Sequence, residues 1–255
     1  MRVLVFIVFS NFSLVGCLGW AGALETLGTS ETGRSWLAVG RLTFNGGGGF
    51  CTASLIAPDV VLTAAHCVYD MENGKKYGLE DFEFQAGWRY GQAEASRNVR
   101  AVLPHPKYDF ADEASIEKVR QDLALVILDH PITNKKIVPF IIADLPITGQ
   151  QVAVVSYAKG RQHAPSIQNI CAVRAEKRGV LVMTCEVDYG ASGSPVFLIN
   201  DAGVAIVSLI SAMAHLKQEK FSLGVALAQN LSELEEIAYK AGLISKRTKT
   251  FEFRR

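Results

Sequence analysis

From Trp36 to Ala226 the chain is a succession of short, β-branched, apolar runs cut by Gly, Asn, Asp and Pro turns, with no sustained helical period. Such a chain cannot build a helical bundle or a parallel sheet with crossover helices, and its pattern predicts an all-β antiparallel fold. The expected strands are Leu37 to Leu42, Phe50 to Ile56, Val60 to Ala64, Phe82 to Ala86, Asn98 to Leu103 and Leu123 to Leu128. A second set is Val152 to Tyr157, Ile170 to Arg174, Val180 to Cys185, Pro195 to Ile199, Val204 to Ile210 and Phe221 to Ala226. Two groups of six predict two six-stranded barrels, whose closure removes the exposed edges a sheet otherwise carries. The stretch between them, Asp129 to Gln150, holds Pro131, Pro139 and Pro146 and reads as a crossing linker. Its 255 residues are long enough for both barrels, and the 49% hydrophobic and 20% charged content is ordinary globular usage, which excludes a disordered chain.

The expected organisation is a leader over 1–23, a first barrel over 24–133, a linker over 134–148, a second barrel over 149–228, a helix over 229–245 and a basic tail over 246–255. The helix is read from a capping box, Ser232 with Glu235. Leu231, Leu234, Ile237, Ala238 and Ala241 recur at helical spacing, and Gly242 is the stop. In the leader, Arg2 precedes a mostly apolar Val3 to Ala23 broken by Ser10, Asn11 and Ser13. Its apolar stretch is too short for the ~20 residues of a spanning helix and suits a secretory signal, with Ala21-Gly22-Ala23 as the cleavage site. Leu14-Val15-Gly16-Cys17 also resembles a bacterial lipobox, in which Cys17 would be acylated and retained, so Cys17 is either an anchor or an ordinary residue of the leader. The destination is the periplasm or the exterior, with no stable membrane insertion of the mature chain.

Lys+Arg total 26 against 25 Asp+Glu, so no basic excess exists to neutralise phosphates, and nucleic acid is excluded as a principal partner. Besides Cys17 there are four cysteines in two close pairs, Cys51 with Cys67 and Cys171 with Cys185. Bridged in that way, each pair closes a loop of about 15 residues and contributes on the order of 3 kcal/mol in the chain-entropy model. Zinc is the competing use, but no Cys-x-x-Cys or His-x-x-His spacing supports a site, and no metal or other cofactor is called for. Oligomeric state is left open by the sequence.

Three segments carry chemistry. His66 follows the strand Val60 to Leu62 directly, in Thr63-Ala64-Ala65-His66-Cys67. A histidine held at a rigid strand end suits a general base, whereas His105, His130, His163 and His215 sit in turns, polar loops or strand edges. Asp122 opens the run Leu123 to Leu128, so apolar that it must be buried, and a carboxylate there needs a partner or serves as a turn cap. Gly190-Ala191-Ser192-Gly193-Ser194-Pro195 permits a tight turn that exposes a hydroxyl and aims backbone N–H groups into one concavity.

Taken in order, Cys51 to Ile56, Val61 to Cys67, His105-Pro106-Lys107-Tyr108-Asp109, Asp122 to Leu125 and Gly190 to Pro195 resemble the trypsin-like, chymotrypsin-fold serine peptidases over essentially the whole mature chain. The resemblance implies an endopeptidase acting on protein or peptide substrates. Ser192 attacks the acyl carbon, His66 takes and returns the proton, and Asp122 holds the imidazole tautomer. It implies an oxyanion hole from the N–H groups of Gly190 and Ser192, a Cys51–Cys67 bridge, and Ser208 as the serine that supports the buried aspartate and lines the substrate strand. Gly-x-Ser-Gly-Ser-Pro is similar to the bacterial secreted glutamyl-endopeptidase-like branch, and Ala191 stands where digestive members carry the aspartate that binds the activated N-terminus.

Counting along the same pattern, Glu186 stands where basic-specific members place a pocket-floor aspartate, or else faces solvent. Ile210 would narrow the pocket entrance, and Val207 replaces the histidine of glutamyl-specific members. Two other functions share these residues: a binding protein of the same fold without turnover, and an esterase using the same three side chains.

Overall fold

The computed structural model describes residues 22–216 and 219–245. The leader up to residue 21, with Cys17, and the basic tail over 246–255 lie outside the described residues.

Strand β1 (Leu24–Thr26) comes first, followed by β2 (Val39–Phe44), β3 (Gly49–Ala57), β4 (Val60–Thr63), β5 (Glu83–Ala86), β6 (Ala95–Pro104), the short helix α1 (Ile116–Arg120) and β7 (Ala124–Leu128). Strands β2 to β7 close in the order β2-β3-β4-β7-β6-β5. The uninterrupted apolar sequence of β7 is explained by its place, since all five of its residues are buried between β4 and β6.

The second half holds β8 (Ile141–Ile142), β9 (Gln151–Ser156), β10 (Ser166–Lys177), β11 (Val180–Met183), β12 (Pro195–Asn200), β13 (Gly203–Leu216) and β14 (Glu219–Ala226), then helix α2 (Leu227–Lys240). Six of these strands close through the pairings of β9 with both β12 and β10. The fold is therefore two closed six-stranded antiparallel barrels with a helix at the C-terminal end, and each of the twelve expected strands overlaps an observed one.

Four local expectations need correction. Residues 24–26 pair with Ser166–Gln168 of β10, so β1 extends the second sheet and does not belong to the first barrel. The linker contains β8, which pairs in parallel with Ala205 and Ile206 of β13. Helix α1, capped by Ser115 whose Oγ accepts from the Lys118 N–H at 3.1 Å, was not anticipated. Helix α2 begins at Leu227, directly after β14, rather than at a Ser232 cap. Leu227, Leu231, Leu234 and Ala238 are all buried, so the apolar face extends a turn earlier than the capping signal, and its burial decides the start. Gly242 ends α2 with φ of 70°, a conformation glycine adopts without strain.

The barrels meet over an aromatic seam in which the Phe197 ring centroid lies 4.9 Å from Trp36 and 4.7 Å from Phe140. Thr52 of β3 extends the seam: its Oγ1 donates to the Gly190 carbonyl at 2.8 Å and accepts from the Tyr157 N–H at 3.0 Å. These bonds fix the start of the Gly190 turn against the first barrel.

Candidate active site

The disulfides are Cys51–Cys67 and Cys171–Cys185, the two pairs the spacing suggested. The first joins β3 to a short helical turn, Ala65–Val68, that begins as β4 ends. His66 sits in this turn between buried Ala65 and Cys67, with its side chain 20% exposed. Cys51, His66 and Cys67 bring their side-chain donors within 4.8 Å of one another, but both sulfurs are spent in the bridge and leave no metal-ligating set there.

Asp122 follows α1 and is buried. Its Oδ1 accepts the backbone N–H of His66 at 2.8 Å, and its Oδ2 lies 2.7 Å from His66 Nδ1. Oδ2 also accepts from Ser211 Oγ at 2.5 Å. Three donors thus compensate a charge whose isolated burial would cost several kcal/mol. With Nδ1 turned to a carboxylate, the neutral ring carries its proton there and presents Nε2 as the acceptor. Burial of the His66 ring works against its protonation, but the charge and hydrogen bond of Asp122 outweigh it and raise the pKa above the ordinary 6.5, with Lys118 opposing weakly.

Ser208, the serine read as the aspartate's support, is elsewhere: it is buried and its Oγ donates to the Val225 carbonyl at 2.8 Å. Ser211 takes the position because β13 carries a bulge. Ile210 pairs with Gly224 and Ala212 with Leu223, leaving Ser211 as the extra residue, and a bulge re-aims the side chain it carries. No composition signal marks this serine; it needs the register of β13 against β14. The roles counted from Ser208 therefore move three residues along. Ile210, buried, has its backbone bonded both ways to the Ser192 turn, accepting from the Gly193 N–H at 2.7 Å and donating to the Ser194 carbonyl at 2.9 Å. Met213, three residues further along β13, is exposed.

Ser192 is half-buried at the centre of a turn anchored on both barrels. Its carbonyl and that of Gly190 both accept from the Thr52 N–H, at 2.9 and 3.0 Å. Within the turn, the Ala191, Gly193 and Ser194 N–H groups donate to Asp188, Ile210 and Ala191 carbonyls. Those of Gly190 and Ser192 donate to no acceptor among the described residues. Two glycines make the turn possible. At Gly193, with φ of 76°, an added Cβ would lie 2.3 Å from the Thr52 carbonyl oxygen, and at Gly190, with φ of 91°, 2.7 Å from the Phe50 ring.

The structure joins His66 to Asp122 directly but makes no hydrogen bond between Ser192 Oγ and His66 Nε2. The two are linked through the chain: Ser192 bonds Thr52, Thr52 adjoins Cys51, and Cys51 bridges Cys67 beside His66.

The Glu186 carboxylate is exposed, while its N–H donates to Gln168 Oε1 at 2.7 Å. His105 is buried against Glu233 of α2, with Nε2 3.7 Å from Oε2, and His130 is exposed beside Asp129, so neither approaches the His66–Asp122 pair by any bond.

Replacing Ser211 by alanine should lower kcat/KM at neutral pH roughly tenfold, the scale of one hydrogen bond to a charged group. With one donor lost, Asp122 favours the imidazolium more strongly. The acid limb of the pH–kcat/KM profile, which the raised His66 pKa places above 6.5 in the wild type, then moves to still higher pH. A profile with an unmoved limb would show that Ser211 does not act through Asp122.

The model of the family described as Trypsin matches residues 26–230. A modular serine protease of Drosophila melanogaster is 31% identical over 125 residues, 47% of this chain and 19% of its own length. Coagulation factor IX of Oryctolagus cuniculus is 34% identical over 104 residues, 39% of this chain and 34% of its own. The matched stretches thus span about a third of one of these relatives and about a fifth of the other. A Glu endopeptidase structure, solved in complex with MPD, superposes with a TM-score of 0.69 at 20% identity, covering 87% of this chain and 98% of that one.

Proposed function

The chain belongs to the trypsin family, and on that footing we propose that it is an exported serine endopeptidase working through an acyl-enzyme on Ser192. The observation that carries this reading is the His66–Asp122 pair, which leaves Nε2 to accept and is tied through the Cys67–Cys51 bridge and Thr52 to the Ser192 turn. In the Michaelis complex His66 Nε2 takes the Ser192 proton as Oγ attacks the scissile carbonyl, a contact that commonly tightens only when substrate is bound. Asp122 stabilises the imidazolium that results. The developing oxyanion is received by the Gly190 and Ser192 N–H groups, the two donors in the turn with no acceptor of their own. The imidazolium then protonates the leaving amine, and water repeats the sequence to release the acid.

Two disulfides support an oxidising, extracytoplasmic location. Ala191, fully buried, offers no carboxylate to a newly made N-terminus, so activity does not depend on that ion pair. Exposure of Glu186 argues against an acidic pocket floor selecting Lys or Arg. Apolar Ile210, bonded through its backbone to Gly193 and Ser194, favours an uncharged primary side chain over glutamate.

A serine-directed phosphonylating probe, followed by a peptide library and a simple ester, tests this reading. Labelling at Ser192 with peptide cleavage is the expected result. Absence of label supports the silent binding protein, for which the missing Ser192–His66 hydrogen bond is the favouring observation, and ester turnover alone supports the esterase.

A further inference from the structure

Arg41 points outward from β2 between two aromatic rings, its guanidinium carbon 4.4 Å from the Phe50 ring centroid and 5.0 Å from that of Trp88. Stacking of this kind holds the planar guanidinium in one orientation. Yet the Arg41 side chain makes no hydrogen bond and no ion pair with any described residue, and its buried Nε has no partner. Trp88 Nε1, a donor in the same cluster, is also buried without a partner. Nearby Arg89 shows the contrast, since its nitrogens are spent on the carbonyls of Leu27, Gly87 and Gly33. Burial lowers the Arg41 pKa, with the Tyr157 hydroxyl opposing it. A half-buried cation and an indole N–H, both unspent and side by side, are the donors of an anion site without its acceptor.

Their place gives the site a use. The Phe50 ring lies against Gly190, one of the two free N–H groups of the nucleophile turn. Phe50 also precedes Cys51, whose bridge to Cys67 holds the loop of His66. Arg41 is therefore one ring away from Gly190, and that ring, Phe50, adjoins the cysteine whose bridge leads to the histidine that protonates the leaving amine.

We propose that Arg41 and Trp88 form a subsite for an acidic side chain in the leaving-group half of the substrate, within about three residues of the scissile bond, a reach set by the ~3.3 Å advance of an extended residue. The inference rests on the peptidase reading of Ser192. The substrate carboxylate accepts from the terminal nitrogens of the guanidinium, whose plane the Phe50 and Trp88 rings hold, and its charge replaces the counterion that the fold does not supply.

The test uses peptides identical except for Glu, Gln or Lys at each of the first three positions after the cleaved bond. Wild type should cleave the Glu peptide roughly tenfold more efficiently than the Gln peptide at one of these positions, with the Lys peptide poorest and the preference shrinking in high salt. Arg41→Gln should bring the Glu/Gln ratio close to one. Arg41→Lys should retain part of it, because the charge stays while the planar fork is lost. Arg34→Gln, an equal charge loss at an exposed arginine outside the stack, should keep the wild-type ratio. Indifference of the wild type to Glu or Gln, or a preference surviving in Arg41→Gln, overturns the subsite. Affinities of the same peptides for Ser192→Ala, read by tryptophan fluorescence, need no turnover. An Arg41-dependent Glu preference there, with no cleavage by wild type, leaves the subsite standing and removes the peptidase reading. Equal affinities overturn the subsite whatever the turnover.

Discussion

Ser192→Ala should lower kcat/KM for peptide hydrolysis by about 10⁴ or more, and His66→Ala should do the same, because each removes a member of a unit that acts only when complete. The geometry makes the two losses overlap. Without the hydroxyl, the His66 Nε2 lone pair has no proton to take. Without the imidazole, the hydroxyl meets the acyl carbon undeprotonated. The double variant should therefore be about as slow as either single one, rather than slower by the product of the two. What survives should be the activity supplied by the Gly190 and Ser192 N–H groups, whose backbone positions are fixed by Thr52, Asp188 and Ile210 and not by the missing side chains. Steady-state peptide hydrolysis, with protein concentration taken from absorbance because Ser192→Ala offers the probe no hydroxyl to label, provides the measurement. Near-wild-type cleavage by either variant would remove Ser192 and His66 from the chemistry.

Asp122→Asn should cost about 10⁴ in kcat with little change in fold, since the amide is nearly isosteric with the carboxylate. An asparagine keeps one acceptor oxygen but places an NH₂ donor at the other position. Oδ1 and Oδ2 of Asp122 both accept at present, from the His66 backbone N–H and from His66 Nδ1 with Ser211 Oγ. Whichever way the amide turns, one of these donors then faces another donor. If the amide nitrogen faces Nδ1, the ring moves its proton to Nε2 and cannot accept from Ser192. The lost charge also removes what raises the His66 pKa while burial continues to lower it, so the acid limb should move down from its wild-type place above 6.5. A slow variant with an unshifted limb would mean that Asp122 does not set the His66 protonation state.

These two expectations rest on residues that the sequence exposed because each has a local frame: a histidine beside a cysteine at a strand end, an acid heading an apolar run, a serine among glycines. Ser211 had no such frame. It is one serine in a strand of small and apolar residues, and only the slipped register between Ile210 and Ala212 turns it toward Asp122. Ser208 matches the family pattern only when the strand is counted without its bulge, and the bulge moves the serine that meets Asp122 to 211. The start of α2 failed for a related reason: Ser232 carries a sound local signal, but burying Leu227 outweighs it. Arg41 was invisible for a third reason, since the absence of an acceptor is a property of everything around a side chain.

The sequence alone determined the all-β class and the twelve strands and offered the two cysteine pairs that the structure bridges, because period-two patterning, turn residues and short cysteine spacings are local. The three side chains nominated for chemistry came from the order of motifs that resembles the family. Only the tertiary structure decided which serine supports Asp122, that residues 24–26 join the second sheet, where the last helix begins and which arginine stands unpaired beside the site. Each of those depends on register or on contacts between segments far apart in the chain, where burial and hydrogen-bond satisfaction are settled jointly and no short window of residues holds the answer.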